Sequence, residues 1–266
     1  MIVSSQVTAG QQVIYQPMLC LILEGAKQSA LGAETFVYGA GDYLLVSADL
    51  PVTGRVVAAP YLAIGVPLEP AVIADLALEA GAPVADPPPR PGLTVSRMDG
   101  EMIDALIRLV RLSDRPSDAA VLSPMILREI VWRLMAGENG AALRQIAAQD
   151  GQLAQINTAI AWIRANYAEP LRIEALAARV GMSETSLYRH FRVVTAMSPL
   201  QYQKQVRLQE ARALLMSQPG DVAGAGFAVG YNNPSQFSRE YNRLFGLPPG
   251  RDVQRLRADP ALVVAV

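Results

Sequence analysis

Ile173-Glu-Ala-Leu-Ala-Ala-Arg-Val-Gly181, followed by Ser183-Glu-Thr-Ser-Leu-Tyr-Arg-His-Phe191, recurs as Val222-Ala-Gly-Ala-Gly-Phe-Ala-Val-Gly230 and Asn233-Pro-Ser-Gln-Phe-Ser-Arg-Glu-Tyr241. Up to the glycine the offset is 49 residues, pairing Ile173 with Val222, Val180 with Val229 and Gly181 with Gly230. Beyond it the offset is 50, pairing Leu187 with Phe237, Arg189 with Arg239, Phe191 with Tyr241 and Pro199 with Pro249. A short helix, a glycine turn and a second helix with outward arginines, present twice, predict two helix-turn-helix units in tandem.

In the first copy Ile173, Leu176, Ala177 and Val180 form one helical stripe, and the small Ala177 lets the next helix come close. Gly181 supplies a turn in which positive φ is free of side-chain clash. Ser183 is a suitable N-cap. Leu187 and Phe191 then face inward at i, i+4, leaving Glu184, Thr185, Tyr188, Arg189 and Arg192 outside. The second copy caps with Asn233, starts on Pro234, buries Phe237 and Tyr241, and leaves Gln236, Arg239 and Arg243 outside. Arginine suits guanine O6/N7 and glutamine suits adenine N6/N7, so both outer faces carry base-reading chemistry. The alternative is that Arg189 and Arg239 are solvated or paired with Glu184 and Glu240.

Ser198 to Met216 reads as a capped helix joining the copies. About 18 helical residues span roughly 27 Å, enough to set two reading helices near one duplex turn apart, on the order of 34 Å. Lys204, Arg207 and Arg212 on it are expected at phosphates, as are Arg192 and Arg243, adding salt-sensitive affinity without sequence information.

Net charge over the 266 residues is −1, which alone argues against nucleic acid. Its distribution argues the other way: residues 1–169 hold 11 Lys/Arg against 17 Asp/Glu, a balance of −6, and residues 170–257 hold 12 against 6, a balance of +6. A basic module carried by an acidic one fits a DNA-binding domain attached to something with another task; chance clustering of solvated charge is the competing account. Apolar residues make up 51% of the chain, yet no run of about 18 is uninterrupted, so no membrane span is expected. No export signal is evident, and the single cysteine, Cys20, has no intrachain partner. A cytoplasmic protein is expected.

Residues 11–67 carry short apolar segments separated by turn residues: Pro17–Leu23 closed by Glu24-Gly25, Thr35–Tyr38, Tyr43–Val46, Arg55–Val57 before Pro60, and Tyr61–Val66. This spacing predicts a small antiparallel sandwich or barrel. A helix is expected over 70–80, then a linker or exposed loop through Pro83 and Pro87-Pro-Pro-Arg-Pro-Gly92. Met102, Ile103, Leu106, Ile107 and Val110 mark a helix over 99–112. Ser123-Pro124 reads as the start of another, with a stripe of Leu127, Ile130, Val131 and Leu134. These helices pack on the barrel or form a dimer interface. A further helix is expected over Gln152–Tyr167.

Catalysis has no visible carriers. The one histidine, His190, lies in the first outer helix, so the N-terminal half offers no histidine to a metal site or a catalytic triad, and no metal or cofactor is expected. A small-molecule sensor needs only a mostly apolar cavity with a few polar groups. Tyr15, Cys20, Tyr38 and Tyr43 are available to line one, and each also reads as ordinary core or rim.

The stretch over about 153–256, above all Phe237-Ser-Arg-Glu-Tyr-Asn-Arg-Leu-Phe-Gly-Leu-Pro-Pro249, resembles the AraC/XylS family of bacterial transcription regulators. The N-terminal half is similar to the cupin-like N-terminal domain of an AraC-type subgroup through Leu21–Lys27 and Tyr43–Pro51. The resemblance implies an α+β protein: a cupin-like β-barrel over 1–95, a helical connector or dimerisation segment over 96–150, and an all-α double helix-turn-helix domain over 151–258, its two motifs joined by a linker helix. It implies base reading by Thr185, Tyr188 and Arg189 in the first unit and by Gln236 and Arg239 in the second. Implied partners are double-stranded promoter DNA, RNA polymerase, a small-molecule effector in the barrel and a second copy of the chain, with activation as the outcome. Two other readings stay open: control by dimerisation or a protein partner without a ligand, and a barrel enzyme with an accessory DNA-binding module. Two departures stand out. Ala196 occupies the family's usual glycine position, and Gly224 and Gly226 fall where helix formers are common, at about 1 kcal/mol each. The first unit is therefore expected to anchor and the second to be more conditional.

Overall fold

The computed structural model describes residues 1–81, 90–148, 151–218 and 220–258. Seven antiparallel strands come first: β1 (Ile2–Ser4), β2 (Gln11–Tyr15), β3 (Met18–Leu31), β4 (Glu34–Gly39), β5 (Asp42–Val46), β6 (Leu50–Pro67) and β7 (Leu93–Arg97). Their order is β1-β6-β3-β5-β7, with β2 also on β6 and β4 also on β3. The segments expected as separate strands around Gly25 and around Pro60 are continuous within β3 and β6. Both interruptions fall at one place. Ala26 pairs with Ala58 across register shifts, and a Cβ on Gly25 (φ 72°) would lie 2.3 Å from the Pro60 carbonyl oxygen. The two signals that read as turns are one bend shared by two paired strands.

Alternation along β3 explains its unbroken apolar run. Cys20 and Ile22 face an inner core with Tyr15, Tyr38, Leu44, Val52, Val56 and Tyr61. Leu19 and Leu21 face outward onto helices, so both sides of the sheet are covered. Those helices are α1 (Pro70–Glu79), α2 (Gly100–Arg111), α3 (Pro116–Ala136) and α4 (Gly140–Ala147). Strand β7 crosses the boundary expected at 95/96 and pairs with β5. Helix α3 runs unbroken through Pro124 rather than starting there. Pro124 and Ala120 are exposed, so the carbonyl that the proline leaves without an amide meets water. On α2 only part of the expected stripe is covered: Met102 and Leu106 are buried, whereas Ile103, Ile107 and Val110 remain about 40% exposed. Of the proline-rich run, residues 82–89 lie outside the described residues. Tyr43 faces the helices and accepts a hydrogen bond from Asn139 Nδ2 (2.8 Å).

The remaining helices are α5 (Gln152–Ala165), α6 (Ile173–Arg179), α7 (Glu184–Thr195), α8 (Pro199–Ser217), α9 (Val222–Ala228), α10 (Pro234–Phe245) and α11 (Pro249–Ala258). The duplicated sequence is duplicated structure: α6–α7 and α9–α10 turn at Gly181 (φ 67°) and Gly230 (φ 87°). Helix α8 starts on a reciprocal capping box of Ser198 and Gln201. The barrel core runs without a break into the first unit, through Leu153, Ile156, Leu187, Phe191, Val194 and Tyr202. The second unit builds its own core from Leu208, Ala225, Val229, Phe237, Tyr241 and Val253. Among the described residues no helix is long and apolar enough to cross a membrane.

The two glycines of α9 have local reasons. A Cβ on Gly224 would overlap the carboxylate of Asp221, which caps the helix by accepting from the Gly224 N–H (2.7 Å). A Cβ on Gly226 would sit 3.0 Å from the Phe237 ring. In the first unit the equivalent pair is Ala177 and Leu187. A larger side chain on the second helix is thus matched by a smaller one on the first.

Two arginines expected at phosphates are built into this frame instead. The Arg207 guanidinium donates to the carbonyls of Tyr167 (2.6 Å), Gly230 (3.0 Å), Ala168 (3.1 Å) and Glu169 (3.0 Å). Arg212 binds Asp252 with two nitrogens (2.8 and 3.2 Å) and stacks 4.5 Å from the Phe245 ring centroid. Asp252 is fully buried and also accepts from Tyr241 (3.0 Å) and Arg255 (3.0 Å). Carbonyls at a turn and a buried carboxylate both demand a cation, which is why these two point inward.

Three stability outcomes follow from this packing. Gly226→Ala and Phe237→Leu each destabilise by about 1–2 kcal/mol, and the double variant, which copies the first unit, loses less than their sum; strictly additive urea-unfolding energies would refute the matched pair. Ala196 sits at φ 57° where Gly246 sits at 77° in the second unit, so Ala196→Gly is expected to stabilise by about 0.5–1 kcal/mol, read as a raised Tm. Asp252→Asn strands the Arg212 charge and lowers stability by about 3 kcal/mol; a loss below 0.5 kcal/mol in denaturant titration would show the pair to be dispensable.

Candidate nucleic-acid interface

A helix reads DNA only if its outer side chains are free to leave the protein surface. On α7 the positions alternate as the i, i+4 pattern demands: Leu187 and Phe191 are fully buried, and Thr185, Tyr188, Arg189 and Arg192 are exposed. On α10 Phe237 and Tyr241 are buried, and Gln236, Arg239 and Arg243 are exposed. Both helices are held at their N-termini by side-chain caps, Ser183 to the Ser186 N–H (3.2 Å) and Asn233 to the N–H groups of Ser235 (2.9 Å) and Gln236 (3.2 Å). Capping fixes the first turn, the part of a recognition helix that meets base edges.

Thr185, Tyr188, Arg189, Arg192, Lys204 and Arg243 share one groove between the two units. Arg189, Arg192, Arg239 and Arg243 enter no carboxylate pair among the described residues, so neither Glu184 nor Glu240 neutralises Arg189 or Arg239. Arg189 donates instead to Nε2 of the buried His190 (3.1 Å), a contact that anchors the guanidinium without cancelling its charge.

Glu240 has a role the sequence did not suggest. It accepts from Lys204 (3.0 Å), Gln236 (3.1 Å) and Tyr231 (2.8 Å). Burial opposes its ionisation, but the hydrogen bonds from Gln236, Tyr231 and Lys204 outweigh it and hold the carboxyl below the ordinary range. Lys204 and Gln236 are therefore held toward each other by one acid. Arg207 and Arg212, engaged inside the domain, are absent from this face.

The barrel touches the first unit through Asp49, Gly92 and the β3–β4 turn. Asp49 pairs with Arg164 of α5, and its backbone carbonyl accepts from the Tyr202 hydroxyl of α8 (2.9 Å). The Gly92 N–H donates to the carbonyl of Val194 at the end of α7 (2.9 Å), and a Cβ on Gly92 would approach that oxygen to 2.5 Å. The β3–β4 turn at Gly32 and Ala33 borders the groove itself. The sequence held a hint of this junction in Gly92, which closes a proline run with no other use for a glycine.

Residues 1–142 match the family model of the AraC-type transcriptional regulator N-terminus, and residues 176–255 match a helix-turn-helix domain. The HTH-type transcriptional activator RhaS of Escherichia fergusonii is 29% identical over 164 residues, covering 60% of this chain and 57% of the relative. RhaS of Salmonella schwarzengrund is 26% identical over the same shares. The chain thus matches somewhat more than half the length of these curated relatives. Among solved structures, ToxT from Vibrio cholerae, crystallised with an unsaturated fatty acid, superposes with a TM-score of 0.57 over 95% of this chain and 92% of its own at 10% identity, a likeness of fold. With more than half its length covered by the N-terminal model and the duplicated helix-turn-helix behind it, the chain belongs to the AraC-type transcriptional regulators.

Proposed function

We propose that this protein is a sequence-specific regulator that binds double-stranded promoter DNA through α7 and α10 together. The observation that carries the reading is the set of four exposed arginines, Arg189, Arg192, Arg239 and Arg243, without carboxylate partners on two like-built helices. Thr185, Tyr188, Arg189, Gln236 and Arg239 read bases, while Arg192, Lys204 and Arg243 hold phosphates. The barrel senses a small effector, as ToxT's bound fatty acid illustrates for a protein of this fold, and catalysis has no part in the reading. Activation is the mode suggested by the name that RhaS carries, a transcriptional activator; RNA polymerase is the partner and the cytoplasm the place that go with this reading. The working division is a barrel extending through β7 to Arg97, a helical connector, and a DNA-binding domain over 151–258. A second reading, control by self-association, draws on the exposed Ile103, Ile107 and Val110 of α2 with Met125 and Trp132 of α3.

Selection of bound duplexes from a random library with the full-length chain yields the operator. On that operator Arg239→Ala costs about 1–3 kcal/mol and relaxes one base position. Arg243→Ala weakens all sequences alike and lowers the salt slope by about 1. Equal loss from Arg239→Ala on random and selected DNA would reduce that residue to a phosphate contact. Failure to enrich any sequence would remove the function.

A further inference from the structure

Inside the barrel, away from the DNA-binding face, β1, β2, β3 and β6 enclose a small cavity. Its polar lining includes two cations, Lys27 and Arg55, and several donors without a strong acceptor. Tyr15 and Tyr61 are 2% and 1% exposed; the Tyr15 hydroxyl makes no hydrogen bond with a described residue, and the Tyr61 hydroxyl meets only the Cys20 thiol, a weak partner. The buried amide nitrogen of Gln11 also reaches no acceptor. The Lys27 ammonium lies 5.2 Å from the Tyr15 ring centroid and 6.0 Å from that of Tyr61, and no carboxylate among the described residues pairs with it. Burial pushes the Tyr61 hydroxyl far above its ordinary range, so it stays a neutral donor.

A wall that only had to be stable would not set a half-buried, unpaired lysine beside buried donors without strong acceptors, because unanswered buried polar groups are penalised. Nor is the space accidental. A Cβ at position 54 would lie 2.9 Å from Tyr15 Oη and 3.1 Å from Lys27 Cε, so Gly54 is what lets the lysine and the phenol share one pocket. We propose that this cavity is an anion site that takes a small organic carboxylate, held by Lys27 and by the hydroxyls of Tyr15 and Tyr61. Arg55, the other cation of the lining, is exposed and donates to Gln28 Oε1 (2.7 Å), so Lys27 is left to meet a single negative charge, and a carboxylate has two oxygens with lone pairs enough for several donors. Ile2, Val3, Val13 and Val56 supply the apolar part of the lining, which suits a short apolar tail. The free space is about 40 Å³, room for roughly three water-sized groups, so the ligand is nearest acetate in size, with propionate and butyrate progressively too large. This inference rests on the reading of the barrel as the sensing domain and gives it a ligand class.

The test uses the purified full-length chain, titrated calorimetrically with acetate, propionate and butyrate and with propionamide as the uncharged control. Saturable binding of at least one carboxylate, at least tenfold tighter than propionamide, is expected. Lys27→Met should weaken it at least tenfold, and Tyr15→Phe and Tyr61→Phe about fivefold each. If Lys27→Met fails to fold, the Tyr15→Phe/Tyr61→Phe double variant decides, with a loss of at least tenfold supporting the site and unchanged affinity refuting it. Absence of binding by all three carboxylates, binding of propionamide as tight as theirs, or unweakened binding by folded Lys27→Met overturns the proposal. Loss of operator binding by the wild-type chain would sink the regulatory reading instead, leaving the carboxylate result to stand by itself.

Discussion

Each reading helix is held in place by one close approach: a residue with little or no side chain on the first helix of the unit, set against a large apolar residue on the second. In the first unit the pair is Ala177 and Leu187; in the second it is Gly226 and Phe237, with a Cβ-to-ring distance of only 3.0 Å were alanine present. The exposed faces of α7 and α10 depend on this contact. The depth to which Leu187 or Phe237 sinks sets the rotation of its helix, and the rotation decides which of the flanking polar residues look outward. The duplication has therefore kept the separation between helices while exchanging the atoms that fill it.

The same economy of volume explains how one residue type has two uses here. Twelve of the chain's basic residues fall within 170–257, but they do not form one electrostatic surface. Arg207 and Arg212 point from α8 into the domain because the polar groups that need a cation, a set of turn carbonyls and the buried Asp252, lie on that side. Arg189, Arg192, Arg239 and Arg243 point out because the inward positions of their helices are already filled by aromatic and aliphatic groups. Glu240 then ties Lys204 to Gln236 across the space between the linker helix and α10. The rigid frame and the binding face are thus made from interleaved positions of the same helices.

The helices were legible in the sequence wherever a local rule decided them. Ser183, Ser198 and Asn233 cap as their types predict, and Gly181 and Gly230 turn where they must. What sequence reading missed was decided by partners far along the chain. Gly25 and Pro60 look like two separate breaks until their strands are paired. Pro124 looks like a helix start because sequence does not show that Ala120 faces water. Arg207 and Arg212 carry the periodicity of an outer face in part, and only the position of α11 and of the 166–170 loop reveals what draws them inward. The exposed faces of α7 and α10 were readable because two copies constrained each other; Glu240, without a counterpart in the first copy, was not.

The junction between barrel and first unit ties these levels together. Apolar packing is continuous from Leu50 and Leu93 to Val194 and Tyr202, whereas the second unit has a core of its own. Asp49 makes the joint directional, pairing its carboxylate with α5 and lending its backbone carbonyl to α8. The cavity wall and this joint are parts of the same strand, since β6 carries Leu50 next to Asp49 at one end and Gly54, Val56 and Tyr61 further along. A change in how β6 packs around the cavity is thereby a change at the root of α8, the helix that joins the two helix-turn-helix units. In a packed interior such displacements are passed on rather than absorbed. The first unit, not the second, is thus the part of the DNA-binding domain through which the barrel is mechanically connected to the groove.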